Sequence, residues 1–255
     1  MESVSMKTMY KLVVVMVVTV AMLAFSATVY ASKDSRIESA AKNSYVFKTY
    51  LKGDDIKIDS KNGAVTLTGT VADNHNKSLA QETVVSLPGV KSVDNKLEVK
   101  GESPAVNSDA WVTAKVKTML LFHKNVSAMT EVNTTGGIVI LQGKATSQAQ
   151  IDLTTEYVKD VEGVKDVKNE MTIGKITKKK QTVSSKIDDA SITAQVKMTL
   201  LYHRSTSALN TSVTTKSGVV TLTGKVKNAA EKDLAAKYAN DVNGVKSINN
   251  QMTIG

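Results

Sequence analysis

Three histidines, His75, His123 and His203, are the only imidazoles in the chain, so any acid–base chemistry near neutral pH starts with them. Hydrolysis of the serine type needs a hydroxyl and an orienting carboxylate beside the imidazole, and metal binding needs further ligands at short spacing. No such set stands at ligand spacing from these histidines, and no spacing fixes one of the many serines next to one of them. His123 and His203 instead recur at the ends of two related helices, where the negative end of a helix dipole favours such a residue. The absence of cysteine removes disulfides, thiol nucleophiles, Cys-ligated zinc, iron–sulfur clusters and an acylated N-terminal cysteine. Gly137 to Lys144 and Gly218 to Lys225 look superficially like phosphate loops. Each has five residues between its glycines where four are needed, and Ala145 and Val226 stand where Ser or Thr would hold magnesium. The sequence therefore names no catalytic residue, metal ligand, cofactor or nucleotide site.

What must be explained instead is a basic chain of 255 residues, 42% hydrophobic and 22% charged, within the range of folded globular proteins. With 1 Trp and 3 Phe, its cores are expected to be built from Val, Leu, Ile and Ala. Residues 1–31 have the layout of a secretory signal peptide: Lys7 and Lys11, an apolar run from Leu12 to Phe25, and a small-residue exit with Val29 and Ala31 at the −3 and −1 positions. Cleavage after Ala31 and a periplasmic location, with or without membrane association, follow as expectations. The other reading is an uncleaved anchor from Leu12 to Tyr30. Removing residues 1–31 lowers the formal charge from +9 to +8.

Aligned on itself, the chain shows one pattern three times. Gly63-Ala-Val-Thr-Leu-Thr-Gly69, Gly137-Ile-Val-Ile-Leu-Gln-Gly143 and Gly218-Val-Val-Thr-Leu-Thr-Gly224 are each followed, 26 residues after the first glycine, by a second signature starting at Gly89, Gly163 or Gly244. Offsets of 74 and 81 residues are too long and unequal for a solenoid and fit three tandem domains. The boundaries are 32–101, 109–174 and 188–255. Residues 102–108 and the basic stretch 175–187 between them are read as exposed linkers.

Within each unit the periodicities predict helix, strand, strand, helix, strand. Asp109 and Asp189 are expected as acidic N-caps of a first helix with Val112, Val116 and Leu120, or Ile192, Val196 and Leu200, on its apolar face. Repeat 1 is less regular there, with Ser39, Ala40, Asn43 and Val46. Turns such as Asn62-Gly63 mark a β-hairpin. Asp73, Ser147 and Asn228 are expected to cap a second helix, Ser147 with Gln150 and Asn228 with Glu231 as capping boxes. Gly89, Gly163 and Gly244 are expected at C′. All nine glycines of the two signatures are read as turn and packing positions, and Asn95, Asn169 and Asn250 as structural hydrogen-bonding groups on the last strand. The fold class is α+β: three small αββαβ domains, each with two helices on one face of a three-stranded mixed sheet. A core of about 66 residues is only marginally stable alone.

These signatures resemble those of the BON domain, the bacterial OsmY and nodulation module, across nearly the whole chain after residue 31. A signal peptide followed by tandem BON units is similar to the OsmY-like group of periplasmic stress proteins. The resemblance implies an αββαβ fold, an envelope location, a link to osmotic stress, binding to phospholipid surfaces and no enzymatic activity. The chain departs from many relatives in having three units and no lipoprotein cysteine.

Charge and aromatic placement give the candidate contact residues. Acidic and basic residues nearly cancel over residues 32–174, so the excess of +8 lies in the second linker and third unit. Lys178, Lys179, Lys180 and Arg204 are therefore the candidates to meet anionic lipid, against the alternative of a solvated linker. Trp111, Lys115, Met119 and Phe122 form a stripe one step off the core face, able either to seat at a membrane interface or to pack on a neighbouring unit. The sequence points to a non-enzymatic exported protein that binds anionic phospholipid peripherally. The alternative is a soluble periplasmic chaperone or scaffold for envelope proteins. With two Arg in the chain and no groove-reading motif, nucleic acid is not an expected partner, and the oligomeric state is left open.

Overall fold

The structure is a computed structural model that describes residues 33–101, 104–126, 130–174, 186–206 and 210–255. The expected signal segment and Lys178–Lys180 lie outside the described residues.

The first unit runs α1 (33–43), α2 (Tyr45–Thr49), β1 (Asp55–Lys61), β2 (Ala64–Val71), α3 (Asn74–Val85) and β3 (Ser92–Val99). The second runs α4 (Asp109–Phe122), β4 (Glu131–Thr135), β5 (Ile138–Gln142), β6 (Lys144–Ala145), α5 (Gln148–Lys159), β7 (Asp166–Asn169) and β8 (Thr172–Ile173). The third runs α6 (Asp189–Tyr202), β9 (Asn210–Lys216), β10 (Val219–Val226), α7 (Ala229–Asn240), β11 (Ser247–Asn250) and β12 (Thr253–Ile254). In each, the hairpin pairs antiparallel and the last strand returns parallel to the middle one, giving the expected αββαβ unit with a mixed sheet.

The hairpin tips explain the first signature glycines. Asn62 and Gly63 both have positive φ, 55° and 83°, which is the type I′ turn that matches strand twist. Its two amides point away from the ladder, and the carboxylate of Asp34 accepts both, from Asn62 at 2.7 Å and Gly63 at 2.9 Å. The Gly63 bond is the largest influence on that carboxyl and helps hold its pKa below the ordinary value. Asp109 does the same for Gly136 and Gly137, and Asp189 for Ser217 and Gly218. This corrects the expected N-caps. Ser108 and Asp188, one residue earlier, cap α4 and α6, and Asp109 and Asp189 stand inside the first turn, free to clasp the hairpin.

The second helices are capped by Asp73, Ser147 and Asn228 as expected. The box glutamine and glutamate reach one residue further upstream than in a standard capping box, to the amides of Thr146 and Lys227 at 2.8 Å. The expected C′ glycines are corrected. These helices end at Val85, Lys159 and Asn240, with Ser86, Asp160 and Asp241 as C-caps, and Gly89, Gly163 and Gly244 come three residues after the caps in the turn that leads to the last strand. In the second and third units the tight fit of that turn to the first helix still requires glycine: a Cβ on Gly163 would lie 2.8 Å from Val112 Cγ2, and one on Gly244 3.0 Å from Ile192 Cγ1. Asn95, Asn169 and Asn250 donate to helix carbonyls at Lys77, Ile151 and Lys232 and accept from the amide two residues on, which ties the last strand to the second helix.

The units do not stand apart like beads. Their buried residues form one continuous core, with α6 at the centre against α3, α4 and α7. The sequence predicts one apolar face for α6, yet Ser191, Thr193, Gln195 and Thr199 are buried as well, because neighbouring units cover the sides that solvent would otherwise reach. Unit 1 docks through the break between α1 and α2. Ser44 interrupts the helix, and the amides of Tyr45 and Val46 donate across to Asp188 Oδ2 at 2.7 Å and Ser191 Oγ at 3.1 Å. Joining three cores offsets the marginal stability expected of each alone.

Candidate functional site

Units 2 and 3 meet through a pair of reciprocal loops, each formed by the end of a first helix and the turn after the partner's second helix. The Lys124 amide donates to the Asp241 carbonyl at 2.9 Å, and the Arg204 amide donates to the Asp160 carbonyl at 2.6 Å. The Asn243 amide reaches Phe122 and the Glu162 amide reaches Tyr202. Lys124 Nζ donates to the carbonyl of Asn240, and the Arg204 guanidinium to that of Lys159, both at 2.6 Å. Asn125 donates to Asp241, and Ser205 donates to Asp160 at 2.6 Å. Each contact has its mirror, the mark of an isologous, twofold interface, here built within one chain.

Behind the loops lies a buried cluster. His123 and His203 are the C-caps of α4 and α6, with Nδ1 3.2 Å from Asp241 and 3.4 Å from Asp160 respectively. The His203 ring stacks on Tyr238 at 3.7 Å between centroids, and His123 sits 4.5 Å from Tyr157. None of the four imidazole nitrogens has an aligned hydrogen bond. Burial, the largest influence, pushes the His203 pKa down, with Asp160 opposing it. Burial also pushes Asp160 up, but His203 and the hydroxyls of Ser205 and Tyr238 outweigh it and hold that carboxyl at about 2. Ser205, His203 and Asp160 thus lie together, yet serine and histidine both address the carboxylate and the ring makes no bond to the hydroxyl. That is an interface arrangement and not a nucleophile relay.

The residues singled out from sequence fall mostly in this seam or the one beside it. Phe122 is buried, 5.4 Å from the Tyr50 ring of unit 1. Lys115 is only 3% exposed, bonded to Glu162 at 2.8 Å and lying 4.4 Å over the Trp111 ring. Trp111 is half-buried, 6.2 Å from the His75 ring of unit 1, whose Nδ1 meets the Tyr202 hydroxyl at 2.8 Å. The membrane-facing form of this stripe is therefore corrected: it packs on a neighbouring unit, and unit 1 covers it. Arg204 belongs to the clasp. Of the first-signature glycines, Gly69 and Gly224 cross the opposing strand so closely that a Cβ would lie 2.0 and 2.1 Å from the carbonyls of Asp55 and Asn210. Between α3 and α6 an open groove has Met198, Leu200, Leu201 and Val213 as its apolar lining and the Lys197–Glu82 pair, at 3.0 Å, in its wall.

Among the described residues no group of three or more His, Asp or Glu is placed to hold a metal ion, and no helix is long and apolar enough to cross a membrane. Sequence reasoning did not find Asp160, Asp241, Tyr157 and Tyr238 as a set. The signal was present: repeats 2 and 3 share His, Tyr and Asp at matching places, where repeat 1 has Thr83 and Ser86 in the positions of the tyrosines and aspartates.

The architecture of each unit agrees with comparison to known families, in which the BON domain model matches residues 33–101, 108–175 and 188–255. The chain belongs to the BON domain family. Its three BON units are similar to the osmotically-inducible protein Y of Escherichia coli, 31% identical over 198 residues that cover 77% of this chain and 96% of that one. The outer membrane lipoprotein DolP of Haemophilus influenzae is 28% identical over 52% of this BON chain and 71% of its own length. A 21 kDa hemolysin of Actinobacillus pleuropneumoniae is 31% identical over 53% of this chain and 64% of its own.

Proposed function

We propose that this chain is an exported, non-enzymatic BON protein of the cell envelope that serves under osmotic or envelope stress by binding anionic phospholipid surfaces peripherally. The observation that carries the reading is the similarity to the osmotically-inducible protein over 96% of that protein's length, and the relative named as an outer membrane lipoprotein supports the envelope. Export rests on the signal-peptide layout of residues 1–31. For lipid, the candidates that remain are Lys178, Lys179 and Lys180, since each basic residue near a charged leaflet contributes about 1 kcal/mol. The burial of Phe122 and Lys115 favours a second reading, a scaffold or chaperone for envelope proteins that does not touch lipid.

Co-sedimentation with anionic and zwitterionic vesicles at low and moderate salt separates the two. Binding to anionic vesicles that weakens with salt and in a Lys178/Lys179/Lys180→Ala variant supports the lipid reading. Absence of binding to either vesicle overturns it and leaves the scaffold reading.

A further inference from the structure

Each of the chain's three histidines is buried at a contact between units. His75 of unit 1 faces Tyr202 of unit 3, His123 of unit 2 faces Asp241 of unit 3, and His203 of unit 3 faces Asp160 of unit 2. They are 6%, 2% and 0% exposed. Two lone rings in a core need no explanation. Three out of three at contacts between units do, and His75 stands where repeats 2 and 3 have Ala149 and Ala230.

We propose that acidification opens the body along these seams, with His75 and His203 as the trigger. A neutral imidazole fits both places. The His203 ring stacks flat on Tyr238 with its Nδ1 3.4 Å from Asp160 and out of line for a hydrogen bond, and the His75 Nδ1 is paired with the neutral Tyr202 hydroxyl. The His123 ring lies 5.8 Å from that of His203, between centroids, and fills the space beside it. The charged groups facing the rings divide between the two signs. Lys115 faces both His75 and His203 and disfavours their protonation. Asp73 near His75 and Asp160 near His203 oppose it. Tyr157, Tyr202 and Tyr238 are pushed up by burial and stay neutral. For His75 and His203 burial outweighs the carboxylates, so the closed state binds fewer protons than the open one. Closure is then complete above the ordinary imidazole value of about 6.5 and is lost as pH falls below it.

The chain carries its own reporter, because its one Trp, Trp111, sits beside His75 in the seam between units 1 and 2. The test is Trp111 emission and hydrodynamic radius, measured on the protein as purified from its cells, between pH 7.5 and 4.5. The expected result is a red shift and expansion centred below about pH 6.5, reversed on neutralisation, with helical circular dichroism retained. A His75/His203→Gln variant should stay closed to a pH at least about one unit lower. Asp73→Asn, which removes the carboxylate near His75 and keeps a capping side chain, should open at higher pH. A wild-type protein that stays closed to pH 4.5, or a glutamine variant that opens where the wild type does, overturns the proposal. If the glutamine variant does not fold at pH 7.5, an unchanged opening pH in Asp73→Asn overturns it equally.

Discussion

The Tyr238 hydroxyl of the third unit donates to Asp160 Oδ2 of the second at 2.7 Å, across a seam that also brings the Ser205 hydroxyl to the same carboxylate. One side chain thus holds two units. Asp160→Ala leaves a tyrosine and a serine hydroxyl without their acceptor and should lower stability by about 2 to 4 kcal/mol, where Tyr238→Phe should cost about 1. Urea unfolding of both variants and of the double variant checks this. The double loss should fall short of the sum, because the two changes break one contact.

Two glycines separate steric need from sequence habit. Gly224→Ala places a Cβ 2.1 Å from the Asn210 carbonyl oxygen at φ +132°, and should cost more than about 3 kcal/mol or prevent folding of unit 3. Gly53 has nothing within 4 Å of the same atom, and Gly53→Ala should change stability by less than about 0.5 kcal/mol. Thermal denaturation of both variants makes the comparison.

Asp189 illustrates a clasp between helix and hairpin. Its carboxylate accepts the Ser217 and Gly218 amides at 2.7 and 2.9 Å, and Asp189→Ala leaves both to solvent and turn strain. A loss of about 1 to 3 kcal/mol is expected, with faster amide exchange at Ser217 and Gly218 read by NMR. Asp189→Asn should fall between, since one carbonyl oxygen can still accept.

Trp111 tests the cover that unit 1 gives to α4. In the closed body at pH 7.5 its emission should not shift when anionic vesicles are added, and acrylamide should quench it less than free tryptophan. A blue shift on vesicle addition at that pH would show that the ring leaves its place beside His75 for lipid.

Within a unit, most of the fold is legible in the sequence, because the signals are local. Asn62-Gly63 demands a I′ turn, Ser147 announces a helix start, and the Val/Leu alternation of residues 219–226 assigns the inward face of β10. The seams are not legible in this way. The stripe of Trp111 and Phe122 has the same amphipathic spacing whether it meets lipid, solvent or another unit, since hydrophobic burial is not directional. Likewise the buried polar face of α6, with Ser191 and Gln195, reads as a solvent face until Val46 and Tyr50 of a distant segment supply its partners. The identities of His123 and His203 were visible at once. Their neighbours Asp160 and Asp241 come from the opposite unit, and no spacing rule within one repeat links them.

The mirrored loops at Lys124 and Arg204 have a further consequence. An interface between two separate molecules of this design would come apart on dilution, because its population depends on how often the partners meet. Here residues 175–187 tether the two halves, and a short tether keeps each at an effective concentration of the order of millimolar around the other. The body therefore remains assembled at any protein concentration, and each half is free to change its own residues, as the pairs Lys124 and Arg204, or Asn125 and Ser205, already differ, without having to match a copy of itself.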